Sequence, residues 1–383
     1  MPENTADSPE KQLANQRQQI DQIDSQLLRL INQRADCAHF IGQLKSTIAA
    51  RSAGSSGEDP AANSHARAQL YRPEREAEVL RRLQKLNPGP LGNEQVAFFF
   101  RELMSACLSL EAPLQIAYLG PPGSFSAAAA QKHFGHAALY SPFESIDDIF
   151  RETETGRTQY AVIPLENSSE GSVGRSMDLL LNTPLKVCGE VILRIHQNLM
   201  SSADKIEDVK KIYSHTQSLA QCHEWLNLHL PGVERVAVAS NSLAAELATA
   251  ELKTAAIAGQ AAAERYKLNV LADNIEDEPN NTTRFVVLGM HDVPPSGEDK
   301  TSLILAAPNQ AGSLIRMLTA FSEVNISMTR LESRPSKEML WEYVFHIDIE
   351  GHQEDMRCQM AFKLLSERAA FVKILGSYPQ ALY

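Results

Sequence analysis

The first hundred residues carry apolar positions at helical spacing and almost no strand signal. From 13 to 48 apolar residues recur at steps of three and four, which predicts one long helix. Shorter helical patterns over 72–86 and 93–110 are separated by the turn-forming sequence NPGPLG. The Gly/Ser/Ala/Asn-rich segment 51–66 predicts a mobile loop. Residues 1–112 are therefore predicted to form an all-α domain of three helices.

The pattern changes at Pro113, where short apolar runs begin to alternate with helical patterns. The predicted strands are LQIAYLG, YAVIPLEN, KKIYSHT, VERVAVAS, TAAIAG and TRFVVLG, and a helical pattern follows each of the first four. Alternation of this kind is typical of an α/β domain with a largely parallel sheet. We expect residues 113–290 to form that domain.

The segment 291–300, HDVPPSGEDK, has the composition of a linker, and a third pattern of apolar and polar residues follows it. Within 301–383 the apolar patterns predict a strand, a helix, two strands, a helix and a last strand. This βαββαβ order is typical of the ferredoxin-like fold. The sequence thus predicts three domains of different architecture.

Composition narrows the class of protein. The 383 residues include 36 basic and 47 acidic side chains, and the net charge of −11 disfavours nucleic acid or an anionic membrane as a partner. No apolar run reaches the roughly 18 residues of a membrane span. The polar N-terminus lacks a signal-peptide core, and the 5 cysteines form no CxxC pair. We expect a reduced, cytoplasmic protein.

Charged side chains interrupt the apolar faces of all three predicted helices. The polar residues on these faces are Arg17, Arg34, Lys45, Arg72, Glu76, Cys107 and Glu111. A salt bridge or a frayed helix end explains any one of them, but the excess of cations suits a small dicarboxylate ligand. Arg34 and Lys45 lie about 16 Å apart along the helix, whereas Arg17 lies about 25 Å from Arg34. Arg17 is therefore expected to serve a site in a partner chain.

The runs QRQQIDQIDSQLLRLINQRADCAHFIGQLK and YRPEREAEVLRRL resemble the all-helical chorismate mutases, whose dimers interlock through a long first helix. The resemblance implies rearrangement of chorismate to prephenate without a nucleophile or cofactor. It implies a site formed by Arg34, Lys45, Arg72, Glu76, Cys107 and Glu111, completed by Arg17 of the partner subunit. Many relatives have Gln in place of Glu111, and a carboxyl group can donate to the ether oxygen only when it is protonated. Relatives often have Asp in place of Arg72.

Three polar loops in the predicted α/β domain each follow a strand and open a helix. Their sequences are LGPPGSFS, PLENSSEGS and SHTQS. Open α/β sheets bind ligands at this edge, where helix N-termini can receive carboxylates. A phosphate loop is absent, and His223, Glu224 and His229 lack the HExxH spacing of a zinc site. We expect neither a metal nor a cofactor.

Together with NNTTRFVVL, these loops resemble prephenate dehydratase from end to end. The resemblance implies a two-lobed domain like that of periplasmic binding proteins, and conversion of prephenate to phenylpyruvate. It makes Thr283 the essential residue and Arg284 a partner for a substrate carboxylate. The substrate residues it implies are Ser124, Glu166, Asn167, Ser168, His215, Gln217, Thr283 and Arg284. Without the resemblance, Thr283 is an ordinary strand threonine.

The segments NQAGSLIRML and MTRLESRP resemble the phenylalanine-binding ACT domains of the same enzymes. Gly312 at a helix start lets backbone amides meet a carboxylate. The implied effector residues are Gly312, Ser313, Leu314, Glu332, Ser333 and Arg334. A dimerisation module without a ligand is the simpler alternative.

As a whole, the chain resembles the bifunctional chorismate mutase–prephenate dehydratases of L-phenylalanine biosynthesis. The resemblance implies chorismate, prephenate and L-phenylalanine as small-molecule partners, feedback inhibition by phenylalanine, and a homodimer or higher homo-oligomer. A non-catalytic sensor of aromatic acids, with two lobes and an ACT module, is the alternative from another class. A mutase with a decayed dehydratase domain is a third possibility.

Overall fold

The computed structural model describes residues 8–53, 71–308, 310–335 and 343–381. Across these ranges, no helix combines the length and the apolar character needed to cross a bilayer. Residues 51–53 of the predicted loop end the first helix, and the rest of that loop lies outside the described residues.

Three helices form the N-terminal domain, as the apolar spacing predicts. They are α1 (Pro9–Ala53), α2 (Pro73–Leu86) and α3 (Asn93–Glu111). Proline at the first position of α2 suits a helix start, because the missing N–H has no partner there anyway. α1 and α3 approach closely at Gly42, where a Cβ atom would lie 2.8 Å from the Cγ of Glu111. The apolar face of α1 is otherwise open: Leu13, Ile20 and Leu27 are each about half exposed.

The α/β domain has two lobes, each built on its own sheet. The first lobe contains β1 (Gln115–Leu119), α4 (Phe125–Phe134), β2 (Leu139–Phe143), α5 (Ile146–Glu154), β3 (Tyr160–Asn167), β4 (Gly171–Ser172), α6 (Gly174–Asn182), β5 (Lys186–Arg194) and, later in the chain, β11 (Thr282–Gly289). The second contains β6 (Asn198–Ser201), β7 (Lys211–His215), α7 (Thr216–Gln221), α8 (His223–His229), β8 (Glu234–Val238), α9 (Asn241–Ala250), β9 (Thr254–Ala258), α10 (Gln260–Tyr266) and β10 (Asn269–Ala272). A short 3₁₀ turn covers Ile206–Asp208.

The two predicted lobes are present, but their sheets are mixed, so the prediction of a largely parallel sheet is wrong. The strand orders are β2-β1-β3-β11-β5 and β10-β6-β9-β7-β8. In the first sheet, β11 runs antiparallel to both β3 and β5, and in the second, β6 runs antiparallel to β9 and β10. The cause is the path of the chain. The chain leaves the first lobe at the end of β5 and re-enters it as β11 at the same edge, so β11 runs back along β5 in the opposite direction.

Two segments join the lobes side by side. Residues 195–197 lead out of the first lobe, and residues 273–281 lead back. The N–H of Ile195 donates to the carbonyl of Asn281 at 2.8 Å, and the N–H of Gln197 donates to Glu276 Oε2 at 2.8 Å. This paired crossing places the start of β11 next to the cleft between the lobes.

The C-terminal domain follows the predicted order of strands and helices. Its elements are β12 (Asp299–Ala306), α11 (Ser313–Glu323), β13 (Met328–Pro335), β14 (Tyr343–Glu350), α12 (Met356–Arg368) and β15 (Phe371–Pro379). They form an antiparallel sheet in the order β13-β14-β12-β15. β15 packs so closely on β5 of the first lobe that a Cβ atom on Gly376 would lie 2.4 Å from the carbonyl oxygen of Val187.

The segment predicted as a linker is packed against both of its neighbours. Val293 is 2% exposed, and its carbonyl accepts a hydrogen bond from His352 Nε2 at 2.8 Å. Arg81 of α2 donates to the carbonyls of Ser296 and Glu298, at 3.1 and 2.7 Å. These hydrogen bonds connect the N-terminal helices to the segment that leads into the C-terminal domain.

Candidate active sites

The first lobe gathers the predicted substrate residues at one edge of its sheet. β1 and β3 are parallel, so their carboxyl ends meet at that edge. Because β11 is antiparallel to β3, the beginning of β11 lies there too, and Thr283 stands directly opposite Asn167. The edge faces the second lobe.

A hydrogen-bonded pair of Asn167 and Thr283 occupies this edge. The side-chain oxygen of Asn167 accepts from the backbone N–H groups of Ser169 and Glu170, at 3.0 and 3.2 Å. These donors fix the orientation of the amide, since an N–H cannot accept. Asn167 Nδ2 therefore donates to Thr283 Oγ1 and to Asn281 Oδ1, both at 2.8 Å. As the Thr283 oxygen accepts from Asn167, its own hydrogen is available to another acceptor.

Two of the predicted residues shape loops around this pair. Ser168 Oγ accepts from the N–H of Thr282 at 2.9 Å. Ser124 caps α4, accepting from the N–H of Ala127 at 3.3 Å and donating to the carbonyl of Leu119 at 3.1 Å. Both serines hold backbone in place.

His215 and Gln217 lie on the second lobe, at the carboxyl end of β7. The ring of His215 caps α7 by accepting from the N–H of Gln217 at 3.4 Å. The backbone N–H of His215 donates to Asn241 Oδ1 at 3.0 Å. The lobes meet close by, where Ser242 Oγ donates to the carbonyl of Pro122 at 2.6 Å. The loops predicted from sequence thus lie on facing edges of the two lobes.

Arg284 and Glu166, both predicted to bind substrate, form ion pairs with the C-terminal domain. Neighbouring residues on a strand point to opposite faces, so Arg284 points away from the face of Thr283. The guanidinium of Arg284 donates to Glu190, Asp348 and the hydroxyl of Tyr378. These contacts use three of the five guanidinium N–H groups, and the role of Arg284 as a substrate ligand stays a prediction. Glu166 forms an ion pair with Arg330 of the C-terminal domain at 2.6 Å, and its role as a substrate residue stays a prediction as well.

Sequence reasoning missed three polar residues that complete these contacts. They are Asn241, Asn281 and Arg330. Asn281 lies within the NNTTRFVVL motif, so the motif itself carries that signal. Arg330 lies within the MTRLESRP segment, but no local pattern reveals that it faces another domain. Asn241 directly follows a predicted strand, as the other site residues do, and this position could have identified it as a site residue.

In the N-terminal domain, Lys45 of α1 faces Glu111 at the end of α3. Lys45 Nζ lies 3.8 Å from Glu111 Oε2, and the Glu111 side chain is 7% exposed. Burial raises the pKa of the Glu111 carboxyl, and the positive charges of Lys45 and His39 oppose that rise. Cys107, one helical turn before Glu111, is buried, and Arg34 is half-buried on α1. Arg17 is exposed on the open face of α1.

The two predicted residues at the start of α2 form ion pairs outside the Lys45–Glu111 contact. Arg72 is exposed and forms an ion pair with Glu74 at 2.6 Å. Glu76 pairs with Arg101 of α3 at 3.2 Å and, with His133, lines a cavity of about 50 Å³ that no described residue of α1 lines. Burial raises the pKa of Glu76, and Arg101 opposes the rise. Glu76 therefore lies at the junction with the α/β domain, where the charge of Arg101 compensates its own, and its role in the mutase site stays a prediction.

The predicted effector residues lie on two segments of the C-terminal domain. Gly312 adopts φ = +77° and caps α11, a conformation that favours glycine. Ser313 is buried and Leu314 half-buried, and Ser313 Oγ accepts from Arg316 at 2.8 Å. The other segment, 332–334, belongs to β13, which β14 separates from β12.

On β13, the side chains of Glu332 and Arg334 turn toward the first lobe. Glu332 accepts from Arg330 at 3.5 Å. Arg334 lies 3.7 Å from Asp178 of α6. Ser333, between them, is exposed. As for metals, the described residues contain no group of three or more His, Cys, Asp or Glu side chains that could hold an ion.

Two protein-family profiles match consecutive parts of the chain. The profile described as chorismate mutase type II matches residues 16–112, and the profile of prephenate dehydratase matches residues 116–293. A bifunctional chorismate mutase/prephenate dehydratase of Neisseria gonorrhoeae is 53% identical over 369 residues, covering 96% of each chain.

Solved structures resemble the part of the chain beyond the first helices. A prephenate dehydratase from Arthrobacter aurescens, in complex with L-Phe, superposes with a TM-score of 0.64 at 30% identity, covering 70% of this chain and 90% of the other. A protein described as a novel type of quorum-quenching acylase has the same TM-score of 0.64 at 28% identity, covering 70% and 98%. The architecture alone therefore does not fix the reaction.

Proposed function

Because the chain belongs to the family of bifunctional chorismate mutase/prephenate dehydratases, we propose that its two activities occupy two separate domains. The helical domain rearranges chorismate to prephenate. The α/β domain converts prephenate to phenylpyruvate, carbon dioxide and water. The order of the two profile matches along the chain supports this division.

The dehydratase proposal is carried by the Asn167–Thr283 hydrogen bond. In the reaction, the bond from the ring to its carboxylate breaks, the electron pair completes the aromatic ring, and the hydroxyl group leaves with a proton. Charge builds on the departing oxygen, so a fixed hydrogen-bond donor there lowers the barrier. Asn167 donates a hydrogen bond to the Thr283 oxygen, so the Thr283 hydrogen points away from Asn167. Thr283 is proposed as the group that donates to the departing oxygen.

The mutase site is proposed around Lys45 and Glu111. The rearrangement needs two clamped carboxylates and a donor at the ether oxygen. Arg34 and Lys45 supply cations for the clamp, and Glu111 supplies the donor when it is protonated, a form that its burial favours. Cys107 lines the same end of α3, and Arg17 of the partner subunit completes the clamp.

We propose a homodimer in which a second copy covers the open face of α1. A long helix with half-exposed leucines and isoleucines along one side needs a covering surface, and a second α1 has a matching one. Pairing also supplies the partner's Arg17. We further propose that the protein works in the cytoplasm, in line with its cysteine usage.

The C-terminal domain is proposed to be a ferredoxin-like ACT domain that binds L-phenylalanine. Its βαββαβ order supports the assignment, as does the similar structure in complex with L-Phe. Gly312, Ser313 and Leu314 form one proposed side of the effector site. The other side is formed by Glu332, Ser333 and Arg334.

One experiment separates an enzyme from a sensor. Purified protein is given chorismate, and prephenate and phenylpyruvate are followed in time, with and without L-phenylalanine. We expect prephenate to appear first, phenylpyruvate to follow, and phenylalanine to suppress the second step. Binding of aromatic acids without turnover would favour the sensor. Prephenate without phenylpyruvate would indicate a decayed dehydratase domain.

A further inference from the structure

Four charged residues meet where the first lobe touches the C-terminal sheet. Glu166 and Arg284 stand opposite each other on β3 and β11. Arg330 and Asp348 stand opposite each other on β13 and β14. Across the boundary the charges are exchanged: Glu166 pairs with Arg330, and Arg284 pairs with Asp348. We call this arrangement the crossed ion pairs.

One half of the crossed ion pairs is anchored more firmly than the other. Asp348 is 4% exposed and Arg284 is 14% exposed, and Glu190, fully buried, also binds Arg284 at 2.9 Å. Removing one partner from a buried ion pair costs folding free energy, so we expect the Arg284–Asp348 pair to stay closed and to serve as a fixed point between the two domains. In the Glu166–Arg330 half, Arg330 is 10% exposed but its carboxylate partner Glu166 is 38% exposed, so solvent weakens this pair more than the Arg284–Asp348 pair, whose carboxylate is buried. The Glu166–Arg330 half is therefore the one that opens more readily.

Arg330 holds both strands of a hairpin. Besides Glu166 on β3, it donates to Ser172 Oγ on β4 at 2.9 Å. Glu166 and Ser172 are cross-strand partners, and the next pair toward the turn is Asn167 with Gly171. Arg330 thus grips the hairpin one residue away from the amide that orients Thr283.

The crossed ion pairs lie directly behind the reacting face of the sheet. Asn167 follows Glu166 on β3, and Thr283 precedes Arg284 on β11, so each catalytic candidate has a charged neighbour on the opposite face. Arg330 also shares β13 with the proposed effector residues 332–334. A displacement of β13 would therefore move the side chain of Arg330, which contacts the hairpin.

We propose that Glu166 and Arg330 are positioning residues that carry effector binding to the dehydratase site. Occupancy of the effector site moves β13 and draws Arg330 away from the hairpin. Asn167 then no longer holds the Thr283 hydroxyl in its working orientation, and dehydration slows. This coupling rests on the proposed function, because it presumes dehydratase activity at Thr283 and phenylalanine as effector.

The test compares Arg330→Gln with Arg368→Gln in the full-length protein. Arg368 is a matched control, since it pairs with Glu323 at 2.9 Å inside the C-terminal domain. Dehydratase rates are measured against L-phenylalanine concentration, and calorimetry measures phenylalanine binding. Because loss of the Arg330 contact is the proposed inhibited state, we expect Arg330→Gln without phenylalanine to have a dehydratase rate about tenfold below the wild type, and added phenylalanine to lower it little further. Phenylalanine should still bind, and Arg368→Gln should behave as the wild type.

A double-mutant cycle with Glu166→Gln separates positioning from substrate binding. If the two residues act through their contact, each single variant loses phenylalanine sensitivity and the double variant loses little more. If Glu166 binds substrate instead, Glu166→Gln raises KM equally in both backgrounds.

Several outcomes would overturn the coupling. Inhibition of Arg330→Gln at wild-type phenylalanine concentrations, or additive effects in the cycle, overturns the coupling alone. A wild-type enzyme that phenylalanine does not inhibit overturns the effector assignment and the coupling together. Loss of phenylalanine binding in Arg330→Gln makes Arg330 part of the effector site and contradicts its positioning role.

Discussion

Replacing Thr283 by valine tests the proposed donor while preserving its shape. Valine keeps the branched side chain and removes only the hydroxyl, so the site loses the atom that accepts from Asn167 at 2.8 Å. Asn167 Nδ2 retains Asn281 as its partner. One lost hydrogen bond costs about 1 kcal/mol of folding free energy, which leaves the domain folded.

The expected loss of activity is far larger than the loss of stability. A positioned proton or hydrogen-bond donor contributes about 10²- to 10⁴-fold to turnover. At about 1.4 kcal/mol per tenfold, this corresponds to roughly 3–5.5 kcal/mol of barrier. Thr283→Val should therefore reduce dehydratase kcat by at least about a hundredfold with little change in KM.

The assay has two internal controls. Thr283→Ser restores the hydroxyl and should recover turnover to within about tenfold of the wild type. Mutase activity, measured in the same preparation, should be unchanged because it belongs to another domain. A Thr283→Val enzyme that keeps a third or more of its dehydratase turnover would remove Thr283 from the mechanism. Equal loss of both activities would indicate misfolding instead.

Three further predictions concern charged residues in the helical domain and at the boundary between the α/β and C-terminal domains. Because burial raises the pKa of Glu111 and only the acid form donates, mutase activity should fall as pH rises through that raised pKa, and Glu111→Gln should flatten the pH–rate profile. Arg17→Ala and Arg34→Ala should each abolish mutase activity. Co-refolding the two variants should make roughly a quarter of all mutase sites wild type and restore about that fraction of the activity. No recovery despite subunit exchange would place the site within one chain. Arg284→Met strands the buried carboxylate of Asp348 and should lower the free energy of unfolding in urea by about 3–5 kcal/mol, and a loss below 1 kcal/mol would contradict the proposed fixed point.

The helices of the first domain were predictable because helical spacing is a local property. The α/β domain was harder: strand signals at β1, β3, β7, β8, β9 and β11 were readable, but β2, α5, β5, β6, α10 and β10 were not predicted. The direction of β11 depends on where the chain re-enters the first lobe. No window of sequence contains that information.

The candidate sites show the same division. The motifs brought Asn167 and Thr283 into view, and the structure adds the hydrogen bond that joins them. Strand alternation alone predicts that Glu166 and Arg284 face away from that pair. Sequence could not reveal what they face, because Arg330 and Asp348 belong to another domain.

The hydrogen bonds from Arg81 to Ser296 and Glu298 bear on the proposed coupling between the C-terminal domain and the dehydratase site. A free tether between β11 and β12 would let the C-terminal domain swing as a whole. Here the connecting segment is fastened from both sides, by Arg81 and by the contact of Val293 with His352. Rotation of the C-terminal domain about this segment would break these three hydrogen bonds, so displacing one strand costs less free energy than moving the whole domain. The coupling proposed through Arg330 needs only the smaller of these two movements.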